Sequence, residues 1–324
     1  MKKLFLLLTV VMAFAFCAKA QISTVATLSH EGEVSVFYSA NALKEAYEAA
    51  VNGDVITLSS GGFNSPGDIK KNITIRGAGM MFDDNMTVVM GTFTLATNEA
   101  NDSIHQFTAE GIYFTGRVEI RNSTNPILAK CKIDDLRGQT SYGSDRIKHV
   151  NIFHSIIDYC SIYKGDYIIS NSYLKTNEIS GNMNVQNCVI EGSSKSSSLG
   201  FYGLMSNSVL IYNSYIFTSS AVVRNCICVG SESNFFTFDD DCISYDNKIL
   251  SEDTEIFKEG TTTYELTDAN KAAWIGSDGT EIGMHGGQFP FTTQLSNPQI
   301  TKFEVAPKTD SEGKLSVNIE VKAN

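Results

Sequence analysis

Between Gln106 and Gly230 one short phrase keeps returning, and no other feature of the chain constrains its fold as tightly. A run of four or five β-formers meets Gly, Asn or another polar residue, and a second short run follows with apolar residues at alternate positions. The instances are QFTAEG-IYF, PILAK-CKI, VNIFH-SII, YIISN-SYL, MNVQN-CVI, VLIYN-SYI and CICVG. Their punctuation falls at Gly111, Lys130, His154, Asn171, Asn187, Asn213 and Gly230, with spacings of 19, 24, 17, 16, 26 and 17. Units this short cannot bury a face alone, so the pattern predicts stacked coils of a solenoid.

One unit shows how a coil is made. Residues 178–180, 183–186 and 188–190 are three β-runs with a single Asn in each gap between them, Asn182 and Asn187. Asn tolerates a left-handed backbone better than most residues and turns a sharp corner without a long loop. The expected inward pairs are Cys131/Ile133, Ser155/Ile157, Ser172/Leu174, Cys188/Ile190 and Ser214/Ile216. The two long spacings are assigned to polar inserts at 137–145 and 193–199, loops bulging from one corner. A leucine-rich repeat is excluded, because neither fixed Leu spacing nor helical segments accompany the repeat.

The ends read differently. Lys2 and Lys3, an apolar run at 4–16 and Ala18-Lys19-Ala20 form a secretory leader over 1–20, too short for a membrane span. From Gln21 onward the net charge is −14, which disfavours nucleic acid, anionic membrane and unaided binding of polyanionic sugars. The length left suits roughly nine or ten coils, a rod of about 45 Å, expected as a monomer. Six cysteines remain; Cys131 and Cys188 sit where other coils place Ser, so buried free thiols are expected rather than a disulfide framework.

Ahead of the repeats, residues 34–37 read as a strand. A helix follows, N-capped by Ser39, with Leu43, Ala46, Tyr47, Ala50 and Val51 on one face and Asn52-Gly53 at its end. Such a helix suits a lid over the open end of a solenoid, whose first coil exposes apolar floor and strand edges. The passage ALKEAYEAAVNGDVITLSSGGF, followed by IKKNITIRGAG, resembles the opening of right-handed parallel β-helix proteins of the pectin-lyase-like superfamily. With the coils after it, the resemblance covers roughly residues 34–287, and SDGTEIGMHGG at 277–287 resembles the terminal coil of secreted bacterial β-helix proteins. The implied architecture is all-β. It comprises the leader 1–20, a strand and cap helix over 21–53, a parallel β-helix over 54–287 and a C-terminal hairpin extension over 288–324. Residues 251–274 read as polar and irregular.

The superfamily hosts lyases, hydrolases, esterases and non-catalytic surface proteins, so the resemblance leaves activity open. In catalytic members the substrate lies along a groove floored by the first strand of each coil. Applied here, that implies an outward stripe of Arg117, Glu119, Arg121, Tyr163, Glu178, Ser180, Met205, Arg224 and Tyr245. A lyase needs stacked carboxylates to hold Ca²⁺ and an Arg or Lys as proton acceptor, and this stripe has no carboxylate trio. Asp240 and Asp241 are similar to the paired Asp of polygalacturonases, and Arg146-Ile147-Lys148 to their substrate-binding triplet. Here the triplet precedes the pair, and Asn-Thr-Asp is absent. Asp134, Asp135 and Arg137 form a second charged group where one coil leaves its last strand, which ordinary turn chemistry explains.

Two functions remain in view. One is a secreted or cell-surface β-helix that binds a polysaccharide, a surface glycan or a protein partner along its flank, using Tyr163 and Tyr245, without cofactor or catalysis. The other is a divergent polysaccharide lyase or hydrolase acting on a pectin-like substrate, with Ca²⁺ needed only in that case and Asp134, Asp135, Arg137, Asp240 and Asp241 as its candidate residues.

Overall fold

The computed structural model describes residues 24–81, 86–96, 104–138, 147–192, 198–211, 221–230, 243–251, 253–296, 299–305, 308–309 and 312–322. The expected leader lies outside them.

Among the described residues the chain is all-β apart from two short helices and builds a parallel β-solenoid of about seven turns. Three long ladders of parallel strands run along it, here faces A, B and C, beside a short fourth made of Ile104–His105, Ser123–Thr124 and Ile147–Lys148. Face A starts at β3 (Val55–Leu58), passes through Thr74–Arg76, Thr108–Glu110, Ile127–Ala129 and Val150–Phe153, and ends at Ile243–Tyr245. Face B runs from Gly61–Asn64 to Lys248–Ser251. Face C runs from Asp68–Ile69 through Phe93–Leu95 to residues 198–200. Among the described residues, faces A and B are ten rungs deep and face C seven, so the turns with all three faces number about seven where the length suggested nine or ten.

The repeat phrase is the corner between faces A and B. Gly111, Lys130, His154, Asn171, Asn187, Asn207 and Asn225 all adopt left-handed φ values between 45° and 69°. The first five match the punctuation read from sequence; the last two replace Asn213 and Gly230. Gly230 instead ends the strand Ile227–Gly230, and Asn213 lies outside the described residues. Asn207 and Asn225 take the corner because each puts a small residue, Ser208 or Cys226, into the fully buried inward column.

That column has a polar task. Ser155 accepts the N–H of Cys131, Ser172 that of Ser155 and Ser208 that of Cys188, each at 3.1 Å. The Ser172 and Ser208 hydroxyls donate to the carbonyls two residues back, at 2.7 and 2.8 Å. Each hydroxyl thus satisfies a backbone N–H that the sharp corner leaves without a ladder partner. Cys131, Cys160, Cys188, Cys226 and Cys228 are buried free thiols, and burial pushes the Cys131, Cys188 and Cys226 thiols up to about 12. Further in, aliphatic side chains stack rung on rung, Ile169, Val185, Met205 and Val223 on face A and Ile157, Leu174, Ile190 and Leu210 on face B. Met205, expected to point outward, belongs to this lumen.

At the N-terminal end β1 (Val25–His30) pairs antiparallel with both β3 and β2 (Glu33–Tyr38), extending face A beyond the first coil. Helix α1 (Ala42–Ala49) buries Ala42, Leu43, Ala46 and Tyr47 and touches β1, β2 and β3. Its N-cap is Asn41 rather than Ser39; Ser39 turns the chain at φ 96° and accepts the N–H of Asn41. The helix closes one residue before Ala50, so Val51, expected on its apolar face, is exposed.

The other end departs further from expectation. The last solenoid strand stops at Ser251, and residues 253–291 form no coil. They fold across the outside of face B, where Ile256, Leu266, Trp274, Ile282, Met284 and Phe291 cover the outward column Ile156, Tyr173, Val189, Val209 and Ile227 in a second apolar core. A sheet apolar on both faces must be covered on both. Helix α2 (Asp268–Ala273), capped by the Thr267 hydroxyl, lies within this segment. The chain then runs back down the A–B corner as a strap over 276–296, which takes in 277–287, the stretch read from sequence as a terminal coil. Ser277 meets Asn207, Met284 and Gly286 meet Asn171, Thr292 meets His154 and Ser296 meets Glu110. Gly276 is needed for this approach, since a Cβ there would lie 2.8 Å from the Asn207 amide. Finally, Gln299–Val305 and Val317–Lys322 pair antiparallel as a two-stranded sheet of their own. Among the described residues no helix is long and apolar enough to cross a membrane.

Candidate functional site

The residues singled out from sequence divide between two faces. Arg117, Glu119 and Arg121 lie on face C, and register places Arg117 opposite Asp135 and Glu119 opposite Arg137. The two charged groups read separately from sequence are therefore one cluster. A register irregularity between Phe114 and Arg117 turns both Asp134 and Asp135 outward, and they separate. Asp135 joins the arginines, whereas Asp134 hydrogen-bonds Tyr113, whose hydroxyl is pushed up to about 12 by burial and by that carboxylate.

Within the cluster every charged group has an opposite partner, three guanidinium groups sharing two carboxylates. Asp135 accepts from Arg117 Nε at 3.0 Å and from Arg137 Nε at 2.9 Å; Glu119 accepts from Arg121 Nη2 at 2.5 Å and from Arg117 Nη1 at 3.4 Å. Burial alone would push the Asp135 carboxyl up, but hydrogen bonds from Arg137 and Arg117 hold it below the usual carboxylate range. Arg137 also stands 5.5 Å from the Tyr159 ring. Two carboxylates already engaged by guanidinium groups suit an ion-pair lattice, not a Ca²⁺ site. Among the described residues no three His, Cys, Asp or Glu side chains gather as a metal would require.

Glu178 and Tyr163 continue face C by register, Glu178 opposite Ser161 and Tyr163 opposite Ser180. Arg224 and Tyr245 do not. Residues 203–206 pair with 183–186 on face A, Ala221–Arg224 pair with 203–206 and Ile243–Tyr245 with 222–224, so Arg224 and Tyr245 sit on another flank, joined at 3.3 Å from Nη1 to the phenol oxygen. The single outward stripe expected from sequence is thus two stripes on different faces. Asp240, Asp241 and Arg146 lie outside the described residues.

Sequence reading missed a cleft of about 1020 Å³ where the strap crosses the A–B corner. One wall is the outward column Phe153, Ser170 and Gln186 of face A with the corner residues Lys130, His154, Asn171 and Asn187; the other is Asp278 and residues 287–292. His154 fixes the strap here, because its Nδ1 accepts the Thr292 N–H at 3.1 Å and its ring stacks on Phe291. Burial, reinforced by Lys130, lowers His154 to about 4, so it stands neutral, as that acceptor role requires. The only sequence signal was indirect: Gly and aromatic residues crowd 283–291 without any strand period.

The fold thus defines a class, the parallel β-solenoids, here with a strap laid along one corner. Comparison with family models, curated proteins and solved structures returns no match for the chain.

Proposed function

We propose that this is a secreted or cell-surface right-handed parallel β-helix of the pectin-lyase-like type. In this reading it binds glycan or a protein partner along its flank without catalysing a reaction, and α1 and the terminal strand pair serve its two ends. One observation carries the non-catalytic part. On the face where a catalytic relative would work, Arg117, Arg121 and Arg137 are committed to Glu119 and Asp135. A proton-accepting arginine or a metal-binding carboxylate must be free to meet substrate, and this lattice engages both kinds of group. The net negative charge favours neutral ligands over polyuronates.

The test is a pair of assays on the purified chain. Incubation with pectate and Ca²⁺ is expected to give no rise in ultraviolet absorbance from unsaturated uronate, while a glycan array is expected to give chelator-insensitive binding. A calcium-dependent rise in absorbance would overturn this reading in favour of a divergent lyase, with Asp134, Asp135, Asp240 and Asp241 the first residues to mutate.

A further inference from the structure

Faces A and B differ in what their outer sides carry. The outward column of face B, Ile156, Tyr173, Val189, Val209 and Ile227, is apolar throughout, and the chain covers it with its own residues. On face A the inward column Ile169, Val185, Met205 and Val223 leaves the residue before each facing out, Ile168, Asn184, Leu204 and Val222, with Ile243 one rung further. This stripe stays open, for Ile168 is 44% exposed and Ile243 60%. Tyr202 and Tyr245 flank it on opposite sides, 49% and 42% exposed. Large apolar side chains left open along one sheet face mark an interaction surface.

The chemistry of the stripe says what lies on it. Across its middle runs one strand whose outward residues are Asn182, Asn184 and Gln186, all exposed. A protein cover of the kind that lies on face B would leave these amides buried without partners, a cost that the all-apolar column of face B never meets. The backbone is not on offer either, because the strand over 182–186 is paired on both edges, with 166–170 and with 202–206, so no peptide can add to it as a further strand. The ionic groups beside the stripe are engaged: Asp166 accepts from Asn182 at 3.0 Å, and Arg224 donates to the Tyr245 oxygen at 3.3 Å. Phenol rings, aliphatic side chains and amides remain, set out at the rung spacing of about 4.8 Å. That grid suits a linear polymer whose units each have an apolar ring face and a rim of hydroxyls, since the rings can lie on the tyrosines while the hydroxyls satisfy the amides. We infer that the outer side of face A, from Ile168 to Ile243, binds an uncharged polysaccharide chain, its rings on Tyr202 and Tyr245 and its hydroxyls on Asn184 and Gln186. The inference rests on the reading that the flank binds glycan, and it places the contact on face A, away from the charged lattice of face C.

The experiment is affinity electrophoresis of the full chain in native gels containing mixed-linkage glucan, xylan, galactomannan or pectate, alongside Tyr202→Ala and Asn184→Ala. Both side chains are exposed, so neither change should alter the melting temperature. Retardation by at least one of the three uncharged polymers is expected, with affinity falling tenfold or more in Tyr202→Ala and threefold or more in Asn184→Ala. Binding of an uncharged polymer that survives both changes overturns the assignment to face A and leaves the glycan-binding function standing. Retardation by pectate alone overturns the ligand class. No retardation by any of the four polymers overturns this inference, and an empty glycan array beside it overturns the glycan reading as well.

Discussion

On the inner side of face B, Ile157, Leu174, Ile190 and Leu210 stack one above another, while on the outer side of the same strands Ile156, Tyr173, Val189 and Val209 lie under a segment with no repeat at all. The inner core closes on itself: each side chain meets its equivalents one rung up and down, so a defect is felt by neighbouring coils. The outer core depends on residues 253–291 staying docked, and the strap beyond it is held at separate points by Asn207, Asn171, His154 and Glu110. Two apolar cores on one sheet therefore differ in cooperativity. The inner one should be lost with the fold, and the outer one can detach first.

Three measurements test that contrast, the largest effect first. Ile190→Asp buries a carboxylate in the lumen with no polar neighbour to pair with, a loss on the order of 5 kcal/mol or more. Yield of folded protein is expected to collapse; a soluble variant with unchanged melting would overturn the inward assignment. Trp274→Ala removes the largest side chain of the outer core, about 3 to 5 kcal/mol locally. Protease sensitivity should rise within 253–296 while the β-sheet circular dichroism transition stays where it was; a parallel fall in both would merge the two cores into one unit.

The third uses pH. His154 is held at about 4 in the folded chain against 6.5 when free, so between these values the unfolded chain binds the extra proton. Stability of the docked strap should be complete above about pH 6.5 and fall as pH drops toward 4, by up to about 3 kcal/mol. Glu110 adds to the same trend at lower pH. Burial would raise its carboxyl, but hydrogen bonds from Ser296 and Lys130 hold it below the usual range. Trp274 is the sole tryptophan, so its fluorescence should shift red on acidification before the far-ultraviolet signal changes. An acid-insensitive emission maximum down to pH 4 would contradict the role given to His154.

Much of the solenoid was legible because its corners carry a local chemical demand. A left-handed φ selects Asn or Gly, and five of the seven corners named from sequence are the observed ones. The two misplaced corners have a physical cause. Asn-Ser followed by apolar β-formers occurs at both 207–211 and 213–216, so local propensity cannot choose between the registers. The repeat length chooses: Asn207 stands 20 residues after Asn187, and Asn213 stands 26 after it. That slip also placed Arg224 and Tyr245 on the wrong face, since an error in register moves whole strands together. The Arg117 cluster was half legible. Its residues were named, but their union with Asp135 and Arg137 depends on inter-coil pairing that no single strand encodes. The strap was hidden because its anchors recur with the coils it crosses and not with its own sequence. A clue was present in the outward apolar residues Tyr173, Val189 and Val209, which mark a sheet covered on both sides.

The strap also measures the molecule. A parallel stack can in principle gain or lose a whole coil, since each rung offers the next the same edge. Here one continuous segment of fixed length touches Asn207, Asn171, His154 and Glu110 in turn, coils apart from one another. An extra coil inserted between Gly111 and Asn207 would carry the far anchor about 4.8 Å out of reach, one strand spacing. The strap is thus a gauge bolted along a stack of repeats, and it sets how many coils this chain can hold between its anchors.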